Sequence, residues 1–287
     1  MQLSRLFESI KRNINHVLAF YIEELTTVSA WWAWNIPFQL LSILIAMLIY
    51  YYYAMAFGGS SPYYEGNFMS FIILGLVLNG FLDISMNAYY EAVAALYMGK
   101  QGIGGQVISR IDYLYLAEVS PYTFVFARIT FAYLTQIIIS LLYLSIGLTF
   151  GLEFSPSASK ATATIILLLG VISCSGIGLI SASMYWLVGA YRGVEPLRWF
   201  VKVLTPLVSG VYIPISALPR KLQLLSLFIP QTYTINGVRM ALLHGSNLTQ
   251  LKLNVTALVL FSVILIPIGL VLLKYSLHTA RKRGTIY

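Results

Sequence analysis

Few residues in this chain have the type and spacing to do chemistry. Asp83, Asn87 and Glu91 stand four residues apart, which puts three polar groups on one face of a helix. Such a row could relay a proton or an ion, or line a route for a polar solute. We expect a structural network instead, near the inner end of its helix, with Arg128 as a candidate partner. An ionised side chain at mid-bilayer costs about 2.5–3.5 kcal/mol, so these groups should face protein or water. His16, His244 and His278 are scattered and show no metal-ligand spacing. Cys174, the single cysteine, sits among Ser173, Ser175, Gly176 and Gly178, small residues suited to close helix packing. No Ser/His/Asp or Cys/His arrangement suggests catalysis, and no G-x-x-x-x-G-K-[ST] phosphate loop occurs. We therefore expect no enzyme, no metal and no cofactor held by this chain.

The setting of these residues is apolar. Of 287 residues, 59% are hydrophobic and only 10% charged, where a soluble domain carries about a quarter charged. That hydrophobicity excludes disorder, and one cysteine excludes a disulfide scaffold. The net charge of +8 is scattered between apolar runs rather than gathered on a face, so nucleic acid is not the expected partner. The composition is that of an integral membrane protein.

A span needs roughly 20 mostly apolar residues. Six runs qualify: 36–57, 68–97, 122–150, 162–190, 196–214 and 255–277. With the N-terminus cytoplasmic, the inner side receives thirteen Lys and Arg and the outer side five. The positive-inside rule then places both termini in the cytoplasm of a multi-pass cell-membrane protein. The expected organisation is a cytoplasmic interface helix over 1–35, a six-span domain over 36–277 and a basic tail over 278–287. Asn247 and Asn254 open Asn-x-Thr triplets on the expected outer side, compatible with glycosylation. A cleaved signal peptide is not expected, because the first apolar run starts only at Ile36 and is too long.

Three segments outside the plain spans carry pattern. Residues 3–28 place Leu6, Ile10, Ile14, Val17, Leu18, Tyr21 and Leu25 at three- and four-residue spacing, an amphipathic helix for the inner interface. Trp31, Trp32 and Trp34 would anchor its turn into the bilayer. The inner loop 99–121 has four glycines and then a short helix-like run over 106–116, with Val107, Ile108, Ile111 and Leu114 apolar. Apolar residues on an inner loop suggest docking onto another protein, or packing against the bundle itself. After the fifth span, Pro214, Pro219 and Pro230 break what would be one long apolar helix. A re-entrant outer hairpin over about 214–243 fits, since broken backbone at that depth needs cover from protein or water.

With these segments together the chain resembles the type-2 ATP-binding-cassette (ABC) exporter permeases. The resemblance rests on the N-terminal amphipathic helix, on Ser120-Pro121 after the inner loop, and on the run Ser209-Gly210-x-Tyr212-x-Pro214…Leu218-Pro219…Pro230-x-x-Tyr233 ending at Arg239. It implies an all-α polytopic fold of six transmembrane helices working as a dimer, with a second copy or homologue. It also implies a cytoplasmic ABC ATPase subunit as partner, which would hold the ATP and Mg. Cargo such as lipid, glycan, peptide or drug would move outward beside the first and fifth spans. Val107, Ile108, Ile111 and Leu114 would couple to the ATPase, and Tyr212, Pro214, Pro219 and Pro230 would form the outer gate. The rival classes are an ion-coupled secondary transporter using Asp83 and Glu91, and an intramembrane enzyme. The first usually shows internal repeats, absent here, and the second needs convergent polar groups that the chain lacks.

Overall fold

The computed structural model describes residues 2–27, 29–56, 67–97, 99–101, 107–188 and 196–282, some of them, Val107 and Ile108 included, by backbone alone. Among these, five helices are long and apolar enough to cross a membrane. They lie in α2 (Ser29–Ala56, apolar over Ile36–Ala56), α3 (Phe68–Tyr97), α5 (Pro121–Thr149), α6 (Lys160–Leu187) and α10 (Lys252–Lys282, apolar over Lys252–Ala280). Shorter elements complete the order: α1 (Gln2–Thr27), β1 (Gly99–Gln101), β2 (Val107–Ser109), α4 (Arg110–Leu116), α7 (Pro196–Val208), a 3-10 turn (Ile215–Ala217), α8 (Arg220–Ser226) and α9 (Pro230–Leu243).

The central helix is α3, which packs on α5 along one side and on α6 along another. Gly80 meets Gln136 and Gly147 meets Ile73, so α3 and α5 run antiparallel. Gly178 meets Ser85 and Tyr89, while Tyr185 clusters with Val93 nearer the chain's other end, so α3 and α6 run parallel. Helix α10 also runs parallel to α6: Gly176 faces Leu265, Gly269 faces Leu179, and Ser276 donates to the Ser183 carbonyl at 2.6 Å. A Cβ on Gly176 would meet the backbone of Leu265 at 2.9 Å. The fully buried Cys174 lies one turn or less from this seam, as expected of a packing cysteine. Gly176→Leu should therefore lower the thermal midpoint by several degrees through overpacking, read by an unfolding assay in detergent.

One end of the bundle carries α1, α4 and the start of α5. Helix α1 covers Gln2–Thr27, and its two faces are distinct over residues 11–26. Phe20 packs edge-on against Phe124 at 5.3 Å, and the Tyr21 hydroxyl meets Thr130 at 2.6 Å. Glu23 pairs with Arg110, and Glu24 with Arg128. Arg128 thus serves α1 rather than the polar row of α3, because the N-terminal helix lies across α5. On the other side of α1, Ile14, Leu18, Ile22 and Leu25 form an exposed apolar stripe of the kind that lies in a lipid interface. Trp31, Trp32 and Trp34, the expected anchors, have side chains outside the described set.

The other end holds the bend after α7. Helix α7 is 13 residues, about 20 Å, and does not reach across the hydrocarbon alone. Helix α9 runs antiparallel to α6, with Thr234 against Gly170, Gly237 against Ile166, and the Ala241 carbonyl accepting from Ser159 N–H. Its first turn is deep: Gln231 is fully buried and donates to Met86 Sδ at 3.0 Å.

Candidate functional site

At the first end the described residues between α3 and α5 carry regular structure. Gly99–Gln101 pairs antiparallel with Val107–Ser109, a short ladder ahead of α4. The helix therefore begins at Arg110, not Gln106, because β-branched Val107 and Ile108 extend and Ser109 caps. The Asp112 carboxylate accepts from Ser109 N–H at 2.9 Å and from the Ser109 hydroxyl at 2.5 Å. This Ser-x-x-Asp spacing is a helix-start signal legible in the sequence. Asp112→Ala should cost about 1 kcal/mol of local stability, seen as faster amide exchange over 109–116.

Ile111 and Leu114, assigned above to ATPase contact, point inward. Each is 6% exposed, in a cluster with Leu96 and Phe124. The side chains of Val107 and Ile108 lie outside the described set. The exposed face of this end belongs to Tyr113, Tyr115, Leu116 and Tyr122, with Leu116 and Tyr122 both 81% exposed. Arg110 ties the helix to its neighbours: it pairs with Glu23 of α1 at 2.9 Å and stands 5.1 Å above the Phe124 ring of α5. A force applied to α4 would reach α1, α3 and α5 together.

The polar row of α3 divides. Asp83 and Asn87 border a small crevice with Lys202 of α7, while Glu91 is exposed. Among the described residues no group of three or more His, Cys, Asp or Glu could hold a metal.

At the second end the backbone breaks around Gly210, whose φ of +85° is left-handed and suits glycine alone. The Gly210 and Val211 carbonyls point away from any continuing helix, and Arg239 of α9 takes them up. Its Nη1 donates to Gly210 O at 2.5 Å, and its Nη2 to Val211 O at 2.9 Å and Phe71 O at 2.7 Å. The guanidinium carbon lies 3.6 Å above the Phe71 ring centre. Gly75 makes room for the group, since a Cβ there would collide with Nη2 and the Val211 carbonyl. One side chain thus joins α3, the bend and α9.

The expected gate residues sit around this staple in different ways. Tyr212 stacks on Tyr50 of α2 at 6.4 Å, and Pro214 is buried beside Arg239. Pro219 is exposed ahead of α8, and Pro230 is buried as the first residue of α9. The bend and the helix starts are brought together, but Pro219 and Pro230 do not line the cavity next to Arg239.

The arrangement defines an all-α, polytopic membrane protein with an inward-held loop helix at one end and a stapled bend at the other. A family model described as "ABC-2 type transporter" matches residues 110–243, from the first residue of α4 to the last of α9. The chain thus has family-level similarity to ABC-2 type membrane transporters over that part. No curated protein matches the chain.

Proposed function

We propose that the chain is the membrane-spanning permease subunit of an ABC exporter, dimeric and driven by ATP hydrolysis on a separate cytoplasmic ATPase. The carrying observation is that the matched region contains both specialised ends: the α4 helix with its exposed Tyr113, Tyr115 and Leu116, and the bend with Arg239. In this reading the ATPase grips the exposed face of α4. Ile111 and Leu114 lock that helix to the bundle, so nucleotide-driven closure moves α3 and α5. Val107 and Ile108 stiffen the loop as a strand. Tyr212 and Pro214, with Pro219 and Pro230 setting the helix starts, form the outer gate.

In this reading α6 and α10, which run parallel, both cross the membrane in one direction, so the chain returns between them. On the same reading segment 196–214 supplies that return as the fifth of six crossings, with the residues after α7 completing what its 13 helical residues do not span. The deep start of α9 then supports a re-entrant hairpin over 214–243. Both termini are cytoplasmic in this reading, which the charge bias favours. Cysteines at Ser60 and Asn247 should react with an impermeant reagent in intact cells, and one at Ser109 should not. Labelling at Ser109 alone would invert the topology and end this form of the reading.

The crevice shared by Asp83, Asn87 and Lys202 favours one rival, an ion-coupled carrier using Asp83 and Glu91. Transport by the reconstituted complex should require ATP, and Asp83→Asn should leave it intact if the protein folds. Gradient-driven transport abolished by Asp83→Asn would decide for the rival.

A further inference from the structure

The guanidinium of Arg239 is a permanent cation that is 7% exposed, yet no carboxylate pairs with it among the described residues. No Asp or Glu follows Glu195 in the chain, so the bend, α8, α9 and α10 contribute no negative side chain at all. The exposed Glu153 reaches Ser70 through its backbone and does not line the cavity beside Arg239. Three of the five guanidinium N–H groups bond to carbonyls, and Nε has no acceptor. Carbonyl dipoles satisfy donors but leave the unit charge uncancelled, which is costly at this depth.

Arg239 lines a cavity of about 300 Å³ with Ser209, Ser216, Asn236 and His244. A second cavity of about 340 Å³ adjoins it, sharing Ile215 and Asn236. Its lining is mostly apolar, from Leu224, Leu227, Tyr233 and Leu253, with Arg220 the one charged member. A chamber of mixed lining that holds a cation thus adjoins a more apolar one, with the exposed Asn236 shared between them.

We infer that the paired cavities bind an anionic amphiphile, its phosphate or carboxylate at Asn236 between Arg239 and Arg220, and its hydrocarbon along Leu224, Leu227 and Leu253. An anion there supplies a counter-charge that no described residue gives Arg239, and the apolar chamber selects a lipid-like molecule over a free ion. The site stands on this geometry and does not depend on the permease reading.

The test uses the purified full chain in uncharged detergent, titrated with dihexanoyl phosphatidylglycerol, dihexanoyl phosphatidylcholine or inorganic phosphate. Binding is followed by the thermal midpoint and by intrinsic tyrosine and tryptophan fluorescence. The anionic lipid should bind saturably, with phosphatidylcholine and phosphate each at least about tenfold weaker. Arg220→Glu and Asn236→Leu change exposed residues outside the Arg239 staple, so both should fold and each weaken the anionic lipid about tenfold or more. Equal response to the two lipids, phosphate binding as tightly as the lipid, or folded variants with unchanged affinity would each overturn the assignment.

Discussion

Arg239→Ala is expected to destabilise the protein by on the order of 3–5 kcal/mol, the largest single-residue effect outside the helix seams. The substitution strips the donors from the Gly210 and Val211 carbonyls, which belong to buried residues and have no helix to continue into. It also removes the cation from above the Phe71 ring. Arg239→Lys should restore only part of the loss, because one ammonium cannot reproduce a planar fork to acceptors on two elements. Gly75→Leu attacks the same junction from α3, by filling the space that the guanidinium occupies. The measurement is thermal unfolding in detergent with added fluorescence of the bend, near Tyr50 and Tyr212. An Arg239→Ala protein that melts with the wild type would show that the carbonyls find other donors.

The second large effect concerns the opposite end. Leu116→Asp combined with Tyr113→Asp should lower ATP-driven transport at least about tenfold, by burying unpaired charge in the proposed ATPase contact. Both residues are exposed, so the thermal midpoint should stay within about a degree or two of wild type. Ile111→Asp is a poorer probe than its sequence position suggests. Ile111 is packed with Leu96 and Phe124, and a charge there would unfold the loop rather than test a contact. Transport unaffected by the double substitution, with expression intact, would remove α4 from the coupling path.

These two ends also show what the sequence can and cannot say. The bounds 68–97 of α3 were readable because a continuous apolar run ends at Gly99 and Lys100 and starts after a polar loop. Helix α1 was readable from its three- and four-residue spacing, and α5 from Ser120-Pro121. Periodicity says which residues share a face, but not which face is inward. In α4 both faces are apolar, so Ile111 and Leu114 could not be told from Tyr113 and Leu116 without the position of α3 and α5. Arg239 was visible only as the end of a motif, because its acceptors are backbone carbonyls and carry no residue signature. Arg128 was offered to α3 and belongs to Glu24, a pairing set by how α1 lies across α5. Helix α7 ends at Val208, ahead of the end of the apolar run 196–214, for a related reason. Apart from Ser209 and Gly210, residues 208–214 stay apolar past the helix end, and the chain bends at the left-handed Gly210.

The central claim is that this chain works through α4 with a separate ATPase. It is tested most directly by purifying the full chain from its native membranes in mild detergent and assaying for a phosphate-loop ATPase. The account predicts an ATPase in near-equal amount with the wild-type chain, and its loss on Leu116→Asp while the permease remains folded. A wild-type chain that purifies without any ATPase, and transports in vesicles under an ion gradient alone, would contradict it.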